Sequence, residues 1–264
     1  MSTGPIPPRP DSMHPMPAPP PPPEAPARGL AARPKATWAW WEAILVYVGA
    51  FFVGGVAALP VINVIGDDDL GSIIATVVAA LVILGIIVFW LRHLHPRWVD
   101  VLGIRRRWFP DARAGAVFGI GLYVVVVFIV GAVLVVLFQA LSGESVEAPE
   151  QVSTSLPPVG LVTTVLYAVV LAPIGEELFF RGVLFRSIRD PYGFWAGALA
   201  SSIAFGSIHY IPGPALDSLL LMSVMVFTGL GLSYIYERRG SIVAPIAAHM
   251  MFNAIGLVLI YGLG

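Results

Sequence analysis

Residues 159–185 read VGLVTTVLYAVVLAPIGEELFFRGVLF, and the state assigned to this stretch decides the fold. It is apolar for longer than the ~20 residues that carry a helix across a bilayer. A lone extended segment of this length would leave its N–H and C=O groups unpaired in lipid, so helix is the open-chain solution. Its charges are Glu176, Glu177 and Arg181, all in its second half. On insertion scales an acid at mid-helix costs ~2.5–3.5 kcal/mol, so two adjacent acids demand a reason.

The rest of the chain has the same character. Of its 264 residues, 57% are hydrophobic and 12% charged, about half the ~25% usual in soluble domains. Mean hydropathy is +0.83. Apolar runs occur at 40–65, 70–91, 114–142, 159–185, 193–211, 216–236 and 241–263. The expected fold class is therefore all-α: a polytopic membrane helical bundle with about seven transmembrane helices and no internal repeat. The net charge of -1 gives no basic footprint for nucleic acid, and the expected surroundings are lipid. The chain has no cysteine, which excludes disulfides, thiolate nucleophiles and Cys-ligated zinc, and leaves His and carboxylate as candidate metal ligands.

Residues 1–36 hold 13 of the 24 prolines, including the run Pro19–Pro23. With little to bury, they read as a disordered, partly polyproline-II cytoplasmic tail, and the first apolar run starts too late for a secretory signal. The chain divides into that tail, residues 37–158 with three transmembrane helices, and residues 159–264 with four. Arg28, Arg33 and Lys35 precede the first span, six arginines surround the loop after the second, Arg186 and Arg189 follow the fourth, and Arg238 and Arg239 follow the sixth. The alternate loops carry Asp67–Asp69, then Glu144, Glu147 and Glu150, then Asp217. Positive charge stays inside, which predicts an N-inside, C-outside protein. Lys35 as the single lysine, with abundant Ala, Gly and Pro, points to a GC-rich bacterial genome and hence to a bacterial cytoplasmic membrane. Residues 97–110 look like an amphipathic stretch on the inner surface, and Gly115 with Gly119 form a small-xxx-small helix-packing pair.

Few polar residues lie deep in the spans. Glu177 and Arg181 are four apart and can pair along one helix face, while Glu176 points about 100° away. His209 lies one turn after Phe205, and His249 one turn before Asn253. Structural glue between helices is the bland reading of this set, but it does not explain why such costly groups are used where Leu and Ala would serve. No GxSxG or HExxH pattern occurs. One or two glutamates, two histidines and an amide can activate water: Glu176 takes the proton and His209 orients the water or holds a metal beside it. His249 and Asn253 donate to the developing oxyanion. Glu176, His209 and His249 are also a candidate open zinc site, so a metal-bound and a metal-free water both stand. Counting from the span ends puts Glu176 about 15 Å deep and His209 about 21 Å. That mismatch requires span five to start later, to tilt, or to break near Gly206.

The three segments EELFFR (Glu176–Arg181), FGSIH (Phe205–His209) and HMMFN (His249–Asn253) resemble, in order, the EExxxR, FxxxH and HxxxN motifs of the CAAX-protease and bacteriocin-processing (CPBP) family, in the manner of type II CAAX prenyl proteases. The resemblance covers about residues 155–263. It implies an intramembrane endopeptidase acting on a membrane-associated or secreted peptide or protein, from a water-filled cavity open to the cytoplasm. On it, Glu176 is the water-activating base and His209 its partner. His249 and Asn253 are the oxyanion or ligand pair, and Glu177 and Arg181, with Phe205, are supporting residues. The family is commonly termed metallopeptidase, with zinc implied, although a metal-free glutamate mechanism has also been advanced for it. A proton- or ion-coupled transporter and an inactive immunity or scaffold relative are the competing readings.

Overall fold

The computed structural model describes residues 1, 4, 29–66, 68–104, 108–149, 152 and 156–263. Most of the proline-rich tail, Asp67, Arg105–Arg107 and Glu150 lie outside them. Among the described residues every regular element is helical. The helices are α1 (Trp40–Ile65), α2 (Asp69–Leu94) and α3 (Trp98–Leu102). They continue with α4 (Phe109–Ser142), α5 (Pro158–Tyr192), α6 (Phe194–Ser207), α7 (Ala215–Arg239) and α8 (Val243–Leu263).

Six of these, all but α3 and α6, are long and apolar enough to cross a membrane. The 26 residues of α1 rise ~39 Å, more than the ~30 Å hydrocarbon core. The seventh expected span, 193–211, is α6, whose 14 residues reach only ~21 Å. The helix ends at Ser207, one residue past Gly206, and Pro212 and Pro214 keep the following chain out of helix.

That break settles the depth of His209. α5 and α6 both extend past the level at which they pack together. A Cβ added to Gly197 would stand 2.9 Å from the Phe185 carbonyl oxygen, so these two residues are level. Measured from there, Glu176 is nine residues along α5 and Ser207, where α6 ends just before His209, is ten along α6, ~14 and ~15 Å. The acid and the imidazole are thus at similar depth.

The arginine-rich ends of the helices are closed by packing. Arg186, one of the charges counted at the inner end of the fourth span, is fully buried. Its guanidinium donates to the carbonyls of Val101 and Pro34 and pairs with Asp190 at 3.0 Å. The 97–110 stretch does not simply float on the surface: Val101 and Leu102 are buried, and the Leu102 carbonyl accepts from the Ile242 N–H at 2.9 Å. Residues 29–36, assigned to the tail from sequence, dock here too. Leu30 is buried, and Arg33 Nε donates to the Gly240 carbonyl at 2.9 Å. Gly240 ends α7 with φ 62, where a side chain would be strained, and its position presses on Gly29. Trp38 is buried and donates to the Val183 carbonyl at 3.0 Å, so it is a core residue and no interfacial anchor.

Gly115 and Gly119 pack as expected. A Cβ on either would lie 2.1 or 2.3 Å from the carbonyl oxygen of Ala244 or Ala248. α4 and α8 therefore touch backbone to backbone, immediately beside His249.

Candidate active site

Proline sets the local geometry of α5. Pro173 has no N–H to donate, and just before it Ala172 bonds back to Tyr167, five residues away. Wide π-type turns at Tyr167–Leu171 and Leu178–Phe185 flank the Ala172–Glu177 turn that carries the acids. Such insertions relieve a broken hydrogen-bond ladder and recur at functional sites.

Glu177 is fully buried. Its Oε1 accepts from Arg181 Nη1 at 2.7 Å and from His249 Nδ1 at 2.9 Å, so one carboxylate ties α5 to α8. Arg181 is equally buried, and its Cζ lies 4.4 Å above the Phe205 ring. This contact offsets part of the cost of Arg181 Nε and Nη2, which have no hydrogen-bond partner among the described residues. The Phe205 ring also meets His209 and His249 edge-on, with centroids 4.7 and 5.6 Å apart. One aromatic ring thus sits under all three cationic or potentially cationic groups.

Glu176 faces the other way, as the 100° offset requires. It lines a cavity of about 1110 Å³ together with His209, His249 and Asn253. The four residues expected to carry chemistry are therefore gathered on one wall, and the three supporting residues stand behind them. His249 Nε2 lies 3.9 Å from Glu176 Oε2, too far for a direct hydrogen bond and a separation that a shared water can span. Both imidazoles have a fixed tautomer. The Phe205 carbonyl can only accept, so the 2.8 Å contact makes His209 Nδ1 the protonated nitrogen. His249 Nδ1 likewise donates to Glu177. Each ring therefore keeps Nε2 free of that bond. Asn253 donates one amide hydrogen to the Ala168 carbonyl at 2.8 Å and retains a second.

The donor types would suit zinc, and the anchored Nδ1–H groups resemble the support given to metal-bound histidine. The positions do not fit. Among the described residues no three His, Asp or Glu side chains stand close enough together to hold a metal ion. Glu176, His209 and His249 share a wall without converging on one point.

Two residues near the acid were missed from sequence. Tyr47 of α1 and Tyr167 of α5 both line the cavity and lie within electrostatic reach of Glu176. The signal was present: tyrosines favour the membrane interface, and these two sit seven and nine residues inside their helices. Tyr47 is held by stacking on Phe179, with centroids 4.0 Å apart.

Comparison with known proteins falls on this same half of the chain. Residues 158–255 match the family of type II CAAX prenyl endopeptidase Rce1-like proteins. The chain is 32% identical over 106 residues to an "Uncharacterized 24.3 kDa protein" of Escherichia coli, covering 39% of this chain and 46% of that protein. It is 32% identical over 95 residues to a Bacillus subtilis protein named "Putative membrane peptidase YdiL", covering 36% of each. The alignments thus span less than half of either relative. No solved structure matches the chain. The segment that matches the Rce1-like family contains Glu176, Glu177, Arg181, Phe205, His209, His249 and Asn253, so the similarity falls on the residues that meet at the cavity.

Proposed function

We propose that the chain is a membrane-embedded endopeptidase that hydrolyses peptide bonds with a water activated by Glu176. The observation that carries this reading is the meeting of the three motifs on one cavity wall, with His249 between the carboxylates of Glu176 and Glu177. Residues 159–264 are the catalytic core, and the helices of 37–158 supply the opposite wall. Multi-pass insertion with the arginine-rich ends facing the cytoplasm of a bacterium fits the charge pattern.

The water lies between Glu176 and His249 Nε2. As its oxygen attacks the scissile carbonyl carbon, a proton passes to the Glu176 carboxylate. The carbonyl oxygen becomes an oxyanion and accepts the free amide hydrogen of Asn253. Collapse breaks the C–N bond, and the proton held by Glu176 goes to the leaving amine. His209 Nε2 orients the substrate amide or the water by accepting a hydrogen bond. Glu177 and Arg181 touch no reacting atom; they fix the ring of His249 and the pitch of α5. No metal is needed to balance this sequence.

Glu176→Gln keeps shape and removes the base. Peptide cleavage by the purified, reconstituted chain should fall by ~10²–10⁴, the worth of general-base catalysis, with membrane insertion and thermal unfolding unchanged. Wild-type turnover in that variant would end the proposal.

A further inference from the structure

Resting on the endopeptidase reading, we infer that the substrate reaches Glu176 as an uncharged, apolar polypeptide segment from the half of the bundle remote from the arginine-rich helix ends. The cavity is one-sided. Its wall runs along α5 from Glu176 back to Thr164, along α4 from Tyr123 to Val135, and along α8 from His249 to Ile260. Each path is eleven or twelve residues, ~16–18 Å, and each leads away from the arginines. Ala148, in the connection after α4 on that far side, also lines it.

On the near side the way is blocked. Buried Arg186, the Trp38–Val183 bond, the Leu102–Ile242 bond and the Gly29–Gly240 contact fill the space below the glutamate. With the arginine-rich ends facing the cytoplasm, as proposed above, this route is distinct from the cytoplasm-facing opening that the family resemblance implies.

The lining also limits what enters. Apart from tyrosines, its titratable residues among those described are Glu176, His209 and His249, with no Lys, Arg or Asp. A charged side chain placed deeper than Glu176 would meet no counter-ion, at a cost membranes rarely tolerate. The polar groups left for a peptide backbone are the second amide hydrogen of Asn253 and the hydroxyls of the lining tyrosines Tyr47, Tyr123 and Tyr167. A length of ~17 Å holds about five extended residues. The fitting occupant is thus a stretch of a membrane-spanning segment, unwound over about one and a half turns, with its scissile bond at the depth of Glu176.

The absence of cysteine makes the test direct. Single cysteines are placed at Ala80, Ala132 and Ile260, which line the cavity, and at Leu81 and Val133, which are exposed on the outer surface and do not. Each full-length protein is reconstituted in phosphatidylcholine–phosphatidylglycerol vesicles with or without a single-spanning Leu/Ala peptide. Alkylation by N-ethylmaleimide is timed, and cleavage of the peptide is followed in parallel with and without Glu176→Gln. The inference expects the peptide to slow alkylation several-fold at the three cavity positions and at neither control. It also expects Ala132→Trp to raise KM about tenfold by filling the path. Glu176-dependent cleavage without protection at any cavity cysteine would overturn the route and leave the protease reading standing. Absence of both protection and cleavage would overturn the apolar-segment substrate. Cleavage that survives Glu176→Gln would instead remove the endopeptidase reading, whatever the protection pattern.

Discussion

Gly119→Ala tests whether helix packing positions the catalytic groups. The added Cβ would stand 2.3 Å from the Ala248 carbonyl oxygen and 3.0 Å from its carbonyl carbon, where ordinary contact needs about 3.5 Å. Both obstacles are backbone, so no rotamer change relieves them, and α4 and α8 must separate by about 1 Å. Forced overpacking of this kind costs ~1–3 kcal/mol. The larger effect is on activity. Ala248 precedes His249, and a shift of ~1 Å at the reacting groups can cost on the order of 10²-fold in rate. Gly121→Ala on the same helix is the control, because nothing lies within 4 Å of its added Cβ. Thermal unfolding in detergent and kcat/KM on a membrane peptide should separate the two variants clearly. If Gly119→Ala turns over like wild type, the α4–α8 contact does not hold the active site in register.

Four further outcomes follow from the geometry. Arg181→Met leaves Glu177 buried without its cation and should destabilise the protein by ~3–5 kcal/mol; Arg181→Met with Glu177→Leu should recover unfolding temperature but not turnover, because His249 loses its anchor. Asn253→Ala removes the proposed oxyanion donor and should lower kcat by ~10²–10³ with little change in KM. Dialysis against a chelator should leave cleavage intact; loss restored by zinc would mean that Glu176, His209 and His249 close around a metal in the working enzyme. His95 lies outside the spans, buried against Trp38 and Trp90 with its Nδ1 bonded to Thr37. Burial lowers its pKa, and Glu42 only partly opposes this. The folded state therefore binds the proton more weakly than the unfolded chain. This contribution to stability is complete above the ordinary histidine value of about 6.5 and is lost as pH falls below it. Unfolding temperature measured across that range should drop for wild type and stay flatter for His95→Gln.

Much of this site was legible because lipid makes polar residues conspicuous. Glu176, His209, His249 and Asn253 stood out against apolar neighbours, and helical spacing alone placed Glu177 with Arg181 and His249 with Asn253. The pairing of Glu177 with His249 was not legible, because it joins α5 to α8 across 72 positions and no local period encodes such a contact. Nor was the length of α6. Hydropathy continues through Ile208 and Ile211, and only the backbone shows that Pro212 and Pro214 belong to an irregular connection. The partners of Arg186 were not legible for a related reason: counting charge places this arginine at the inner end of a span, and only the fold shows that it satisfies carbonyls from two other segments. The π turns around Glu176 left no compositional trace beyond Pro173.

The most direct measurement is turnover of one membrane peptide in heavy-oxygen water by the reconstituted chain and by its Glu176→Gln variant. If Glu176 activates water in this cavity, the wild-type product carries one heavy oxygen in its new carboxylate and the variant forms at most a hundredth as much, about the lower bound for a lost general base. Equal product from both proteins, or a new terminus without the heavy atom, would contradict it.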